Sequence, residues 1–267
     1  MSDAWSAVAA GYLEHWVPRF RPFLLEAVDA LAARALDLGP LAVPGCGPGE
    51  EVLALRRRLP GREVVAMDPS APMLALLRAR AADDPAVRVL EGAAEDLPAR
   101  VSGAGGVLSC FTLQLLERPL EALAAWARAA APGAPLVVLF WPRQAPDTAW
   151  GRLRPVIEAE AGAWRDDHEP ATRAGLPALG LDLLEDRPVR RPMRHPSPEA
   201  AWDRLVDAGS LQGLARRVTP DALARCRARW LGDHGLTHEP AGDAEGHGPW
   251  VHAPEARLWV LRGGPRR

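Results

Sequence analysis

Leu41-Ala42-Val43-Pro44-Gly45-Cys46-Gly47-Pro48-Gly49-Glu50-Glu51 is the stretch on which the fold turns. A short apolar run enters a glycine-rich turn, and Glu50 to Leu59 then has helical period with acids at its start, where the helix dipole favours them. That is a strand, a glycine turn and a helix. Glycines let backbone approach a ligand because no Cβ intervenes, and the helix start offers free N–H groups. Tight turns of this kind occur in many parallel-sheet proteins, so the neighbouring segments decide what this one means.

Downstream, Glu63 to Met67 reads as a second strand ending at Asp68, Pro72 to Arg80 as a helix, and Val87 to Leu90 as a third strand ending at Glu91-Gly92. Gly106 to Cys110 is a fourth strand, Pro119 to Ala130 a helix stopped by Pro132-Gly133, and Pro135 to Trp141 a fifth strand with the Leu, Val and Phe content of a buried parallel strand. Upstream, residues 4–37 predict helices: Trp5, Val8, Tyr12 and Trp16 recur at three- and four-residue spacing, and Phe23, Leu24, Ala27, Val28 and Leu31 follow a break at Pro18 and Pro22. Beyond Pro142 the alternation lapses into predicted helices at 148–162 and 170–179, a strand at 187–194 and helices at 198–208 and 220–231. A Gly- and His-rich loop over 232–248 and a last strand at 256–261 complete the chain. Three parts are expected: a helical segment over 1–38, a cofactor-binding core over 39–141, and the rest of the core with helical cap insertions over 142–267.

Of the 267 residues, 48% are hydrophobic and 25% charged, a globular balance. The formal net charge of -2, with every basic residue an arginine, gives no global field for a polyanion, so nucleic acid is not the expected partner. Arg56 to Arg58 and Arg187 to Arg194 read as solvated faces. Cys46, Cys110 and Cys226 are widely spaced and fit neither a disulfide framework nor a metal site, which points to a reducing cytoplasm. Met1 to Ala10 does not read as a secretory signal, and no apolar run approaches the ~20 residues of a membrane span.

Asp68 follows Gly49 by 19 residues, close to the spacing of about 20 at which an acid reaches a ribose in dinucleotide folds. The glycines do not follow the nicotinamide pattern, and Glu50-Glu51 at the helix start would repel a pyrophosphate. A cofactor with ribose and adenine but no phosphate, and with a sulfonium that tolerates carboxylates, suits this turn. Val43 to Gly49 resembles the first motif of class I S-adenosylmethionine-dependent methyltransferases, and Met67-Asp68-Pro69-Ser70-Ala71-Pro72-Met73-Leu74 resembles their second strand and following turn. Gly92 to Pro98 is similar to the family's adenine-side loop, Val107 to Gln114 to its fourth strand and cleft loop, and Arg194 to Trp202 to a segment of its ubiquinone-biosynthesis-like small-molecule branch.

The resemblance implies a Rossmann-like, doubly wound, mostly parallel seven-stranded sheet with N-terminal helices and a helical cap. It also implies that Gly45 and Gly47 pass the methionine part of S-adenosylmethionine, with Asp68 on the ribose, Met73 near the adenine, and Cys46, Gly49 and Pro69 also at the cofactor. Ala94 and Glu95 hold the adenine edge, Ser109 or Cys110 meets the aminoacyl end, and S-adenosylhomocysteine is the product. Two positions depart from the family: Val43 stands where an acid is usual and Ala93 where Asp is frequent. Asp68 has an alternative reading as a turn and capping residue.

Methyl transfer from a sulfonium is an in-line displacement that alignment and desolvation accelerate, so a base is optional. His15 and Gln114 are the catalytic candidates, His15 as a proton acceptor on the N-terminal helix and Gln114 as a polar group facing the acceptor. Tyr12, Trp16, Gln114, Trp141 and Trp150 are candidate substrate contacts, because indole faces suit a flat apolar acceptor or a sulfonium; Trp164 falls in the same class, and core packing is the competing role for each tryptophan. His168, Asp166, Asp167 and Glu169 form a mixed charge run read as a solvated loop, and no metal is expected. The expected activity is O-, N- or C-methylation of a small molecule in secondary metabolism, by a cytoplasmic monomer or homodimer with no membrane partner. The alternatives are a scaffold that keeps the fold without turnover, and a nicotinamide-dependent oxidoreductase, against which the absence of a Tyr-x-x-x-Lys pair also speaks.

Overall fold

Five parallel strands form the centre of the molecule, because each is short, apolar and followed by a helix that returns the chain to the same end of the sheet. They are β1 (Leu41–Pro44), β2 (Val64–Asp68), β3 (Val87–Glu91), β4 (Gly106–Cys110) and β5 (Pro135–Phe140). The computed structural model describes residues 2–35, 38–82, 84–162, 168–234 and 249–263. Two more strands, β6 (Leu181–Arg190) and β9 (Glu255–Gly263), complete a seven-stranded sheet in the order β3-β2-β1-β4-β5-β9-β6, in which β9 runs antiparallel to both neighbours. The strand order reverses between β1 and β4, where open α/β sheets bind ligands beyond the carboxyl ends of their strands.

Successive residues of β1 face opposite sides, so Leu41 and Val43 join one core and Ala42 the other. The helices α3 (Glu50–Arg58), α4 (Ala71–Ala81) and α5 (Pro119–Ala129) cover the sheet. On one face α2 (Val17–Ala32) buries the stripe of Phe23, Leu24, Ala27, Val28 and Leu31 read from the sequence. On the other, Trp126 of α5 is fully buried.

The break expected at Pro18 and Pro22 is absent. Helix α1 (Ser2–Gly11) continues through a π-helical turn, Tyr12–Trp16, into α2 without interruption. Pro18 occupies the first turn of α2, where a missing N–H costs little, and both prolines face solvent, which can satisfy the carbonyls they leave unpaired. This rod joins two parts of the molecule. Ser6 Oγ lies 2.9 Å from Ser70 Oγ at the start of α4, whereas Trp16 Nε1 donates to the Arg204 carbonyl at 3.2 Å in α8 (Pro198–Ala208). Gly11 permits the approach, since a Cβ there would sit 2.8 Å from Ala208 Cβ.

In the cap the expectations shift at prolines. The strand expected at 187–194 is divided by Pro192 into the end of β6 and a separate β7 (Met193–His195), which pairs with β8 (Trp250–His252), a strand the sequence reading missed. The helix expected at 170–179 ends as α7 (Glu169–Gly175), with a 3-10 turn from Pro177 to Leu179. The helix expected at 148–162 is α6 (Leu153–Ala161), preceded by turns, and α9 (Gln212–Ala215) and α10 (Pro220–His234) complete the cap. The arginine runs are ion-paired rather than simply solvated: Arg56 reaches Asp84 at 2.8 Å and Arg187 reaches Glu26 at 3.0 Å. All three cysteines are free and buried. Among the described residues no helix is long and apolar enough to cross a membrane, and no group of three or more metal-ligating side chains converges.

Candidate cofactor and acceptor site

The glycine turn is left-handed at Gly45, Gly47 and Gly49, with φ of 71°, 49° and 80°. A Cβ on Gly45 would lie 2.2 Å from Thr112 Oγ1, and one on Gly49 would lie 2.2 Å from Leu77 Cδ1. A Cβ on Gly47 would meet nothing, so the turn presents open space there. The N–H groups of the turn itself, ahead of the helix start, are committed. Those of Gly45 and Cys46 donate to the Met67 carbonyl at 2.7 and 3.1 Å, that of Gly49 donates to the Cys46 carbonyl at 2.9 Å, and that of Gly47 donates to Asp68 Oδ2 at 2.9 Å. An anion therefore meets no cradle of backbone donors in this turn.

Asp68 ends β2, and its other oxygen, Oδ1, accepts from Ser70 N–H at 2.9 Å. Each oxygen keeps a lone pair, so the turn-closing role leaves capacity for two hydroxyl donors. Burial pushes the Asp68 carboxyl up, against the two N–H donors that hold it down. The ionisable groups that share the cavity wall beside it are acids, with arginines only behind them. Burial, then the fields of Glu51 and Asp68, push Tyr12 up; burial, Asp68 and Glu51 do the same to the Cys46 thiol, and burial and Glu51 to the Cys110 thiol. Glu50 is ion-paired with Arg21 at 3.0 Å and with Arg80. Glu51, 5% exposed, has no ion-pair partner among the described residues; burial chiefly pushes it up to about 8, a backbone hydrogen bond at Glu51 itself opposes this, the neighbouring charges of Glu50 and Asp68 add to it, and Arg80 pulls the other way.

Tyr12, Phe20, Gly45, Gly47, Glu51 and Cys110 line a cavity of about 40 Å³ beside the turn. A second cavity of about 750 Å³ opens past the carboxyl ends of β4 and β5 beneath the cap, and Tyr12, Phe20 and Phe111 line both. Its walls include Trp5, Trp16, Trp141 and Trp150. Trp141 stacks on Phe111 with centroids 4.4 Å apart and planes 10° apart, and Trp150 stands edge-on to Trp141 at 4.7 Å. Phe111 is left-handed, with φ of 55°, a conformation disfavoured for a residue of its size. Its carbonyl accepts from Gln114 Nε2 at 2.8 Å, which fixes the amide, and Gln114 Oε1 is buried with no partner among the described residues.

Of the residues singled out from sequence, Gly45, Cys46, Gly47 and Cys110 line the small cavity, Trp16, Gln114, Trp141 and Trp150 the large one, and Tyr12 both. Others lie elsewhere. His15 lines neither cavity, its Nε2 being 3.8 Å from Glu14 Oε1. Ser109 is fully buried and its hydroxyl donates to the Pro44 carbonyl at 3.1 Å, so it ties β4 to β1 and is spent before it can reach an aminoacyl group. The Ala94 carbonyl accepts from Trp126 Nε1 at 2.9 Å, Met73 is buried at the start of α4, Pro69 is exposed beside Asp68, and Glu95 is half-buried. His168 lines the large cavity, and Trp164, Asp166 and Asp167 lie outside the described residues. His195 and His252 face one another elsewhere, with Nε2 atoms 3.3 Å apart, and burial with nearby Arg19 lowers His195 to about 4. Sequence reasoning missed Phe20 and Trp5 as lining residues, of which Trp5, on the helical face of Tyr12, carried a signal; Glu51 stood out only as an acid at the helix start and Phe111 only as part of the cleft-loop segment.

A reversed-order parallel sheet, a glycine turn closed by an acid at the end of β2, and a wide cavity past β4 and β5 define the fold of class I S-adenosylmethionine-dependent methyltransferases. Residues 42–138 match the family model of the methyltransferase domain, and this stretch belongs to that family. The demethylmenaquinone methyltransferase of Thermus thermophilus is 37% identical over 117 residues, which are 43% of this chain and 50% of that protein. The chain thus spans half the length of this curated relative. The YcgJ protein of Bacillus subtilis superposes with a TM-score of 0.61 at 14% identity, covering 90% of this chain and 99% of the other. Geranyl diphosphate C-methyltransferase of Streptomyces coelicolor, solved with Mg2+, geranyl diphosphate and S-adenosylhomocysteine, superposes with a TM-score of 0.52 at 15% identity, covering 89% and 77%.

Proposed function

We propose that this chain transfers a methyl group from S-adenosylmethionine to an apolar small molecule that carries a hydroxyl or N–H group. The observation that carries this is the pair of cavities sharing Tyr12, Phe20 and Phe111, an acid-lined one at the glycine turn and an aromatic one past β4 and β5. A volume of about 750 Å³ is within the ordinary range for small-molecule sites.

The donor set fits the cofactor. Committed turn N–H groups and an excess of acids disfavour pyrophosphate and favour a cation, while Asp68 has lone pairs for vicinal ribose hydroxyls. Gly45, Cys46, Gly47 and Cys110 would hold the methionine part and Asp68 the ribose. Pro69, Met73, Ala94 and Glu95 would flank the adenine, with Ala94 acting through its surface rather than its carbonyl. When bound, the cofactor supplies an electrophilic methyl group on sulfur. The tryptophan walls exclude water and hold a flat acceptor by its faces. Gln114 Oε1, fixed by the Phe111 carbonyl, accepts a hydrogen bond from the acceptor's O–H or N–H and so orients the heteroatom; an amide takes no proton, so it acts by positioning. His15 has no part in this arrangement. Residues 142–267 would complete the core with the last two strands of the sheet, and the helical insertions among them would cap the acceptor.

Isothermal titration with S-adenosylhomocysteine, beside a nicotinamide dinucleotide, tests the cofactor. Saturable binding of the first alone is expected, followed by methylation of hydroxylated aromatic compounds in a screen with labelled S-adenosylmethionine. Binding of neither ligand would favour a scaffold without turnover and leave Asp68, Gln114 and the two cavities without these roles.

A further inference from the structure

Beyond its tryptophans, the large cavity carries charge at its mouth. Arg143 in the loop after β5, Arg154 of α6 and Arg217 just past α9 all reach its wall. Arg154 is ion-paired with Glu158 at 2.7 Å, and the other carboxylate on the wall, Glu169, lies in the field of Arg257. Arg143 and Arg217 have no carboxylate partner among the described residues, and both are exposed, so they stand where the cavity meets solvent. Each is held in place by its surroundings. Gln144 pins the loop of Arg143, its Nε2 donating to the Pro142 and Glu255 carbonyls at 3.0 and 2.7 Å while its Oε1 accepts from Glu255 N–H at 3.1 Å. Arg217 Nε donates to the carbonyl of Gly213, itself on the cavity wall, at 3.1 Å, which orients the guanidinium and leaves its terminal nitrogens available. At the other end, past Tyr12, Phe20 and Phe111, the smaller cavity has Glu50 and Glu51 on its wall and no basic group. An anion finds a partner only at the mouth.

We propose that the acceptor carries an anionic group, a carboxylate or a phosphate, on the end of its apolar body remote from the methylated heteroatom, and that Arg143 and Arg217 bind it. This rests on the methyltransferase reading above. A guanidinium presents paired N–H donors that match the oxygens of either anion. The body of the acceptor then lies against Trp141 and Trp150, and its reacting O–H or N–H points inward to the buried Gln114 Oε1. The charge pattern thus sets the sense in which an acceptor enters: reversed, its anion would meet Glu50 and Glu51 instead of the arginines. Because both arginines are exposed, salt screens their attraction, whereas the contact with the rings is insensitive to it.

The test titrates 2-naphthoate, 2-naphthyl phosphate and the neutral 2-naphthamide into the full chain with S-adenosylhomocysteine bound. At low ionic strength at least one of the two anions is expected to bind about tenfold more tightly than the amide, and which of them does so separates a carboxylate acceptor from a phosphate one. That preference should shrink to about twofold in ~1 M salt, where the Debye length is about 3 Å. The double variant Arg143→Gln/Arg217→Gln is expected to erase the preference while holding 2-naphthamide within about twofold of the parent. Arg57→Gln, a charge loss at a residue that lines neither cavity, should keep the preference. Anions that bind no better than the amide, a preference that survives the double variant, a loss shared equally by the amide, or a preference erased by Arg57→Gln would overturn the anionic acceptor alone. Failure of S-adenosylhomocysteine to bind would overturn the methyltransferase reading, and this assignment with it.

Discussion

The two cavities are neighbours built by opposite means. The one at the glycine turn is floored by a few near-consecutive residues whose backbone is locked by hydrogen bonds, is closed by side chains of the N-terminal rod and the end of β4, and its chemistry is an excess of acid. The aromatic one is assembled from side chains as distant in sequence as Trp5 and Trp259, and one orphaned amide oxygen is its most specific polar feature. Backbone geometry fixes the first, whereas rings packed on rings fix the second. The first should therefore fail abruptly when a single atom is added, and the second should yield gradually when side chains are trimmed.

Gly45→Ala is the harshest test of that contrast. The new methyl group would meet Thr112 while the backbone is held left-handed. A loss of about 3 kcal/mol or more in urea unfolding is expected, with S-adenosylhomocysteine binding abolished. Gly47→Ala has open space and should lose only about 1 kcal/mol, so equal stability losses in the two variants would break the comparison.

A second test concerns pH. Glu51 keeps its proton in the native state up to about 8, whereas an unfolded chain releases it in the ordinary carboxylate range. The native state therefore binds more protons through that window, and this group's contribution makes stability fall as pH rises from about 4.5 to 8 and level off above it. Thermal melts of Glu51→Gln across this window should show a flatter profile than the parent, by on the order of a few kcal/mol. A profile unchanged by the substitution would mean that Glu51 is paired or hydrated in solution.

Affinity is the third measure. Asp68→Ala removes the acceptor of the Gly47 and Ser70 N–H groups, so S-adenosylhomocysteine binding should weaken by about 2 kcal/mol with a modest fall in melting temperature. Trp150→Ala should leave that affinity within twofold and weaken the acceptor instead. A large loss of cofactor binding in Trp150→Ala would show that the two cavities are not separable. The gentlest change is Gln114→Leu, expected to raise the acceptor KM by about tenfold, roughly 1.4 kcal/mol. It removes an unpartnered oxygen but also the Nε2 donor to the Phe111 carbonyl, so a modest fall in melting temperature is expected, about 1 kcal/mol of stability. An unaltered KM would take Gln114 off the acceptor.

Much of the molecule is legible in the sequence where the controlling interactions are local. The strands and helices from Leu41 to Phe140 follow from hydrophobic period and punctuation, and the α2 stripe from Phe23 to Leu31 lies where its spacing put it. Local rules misled at Pro18 and Pro22, because two exposed prolines in a rod gripped from both sides cost too little to break it. The first half of β6 was missed because Asp182, Glu185 and Asp186 at a sheet edge mask the alternation of a strand. Glu50 and Glu51 look alike in sequence; Arg80, 30 residues further on, engages one and leaves the other without an ion pair. Ser109 misled in the same way, since the carbonyl that takes its hydroxyl belongs to another strand.

The wall of Tyr12, Phe20 and Phe111 has a thermodynamic consequence. Two ligands that press on the same three side chains do not bind independently: whatever rearrangement one imposes, the other meets already made or must undo. Linkage then requires reciprocity, so the factor by which an acceptor analogue changes the dissociation constant of S-adenosylhomocysteine equals the factor by which S-adenosylhomocysteine changes that of the analogue. Since Tyr12 belongs to the π turn and Phe20 to the helix that continues it, the N-terminal rod is the element through which that factor is set.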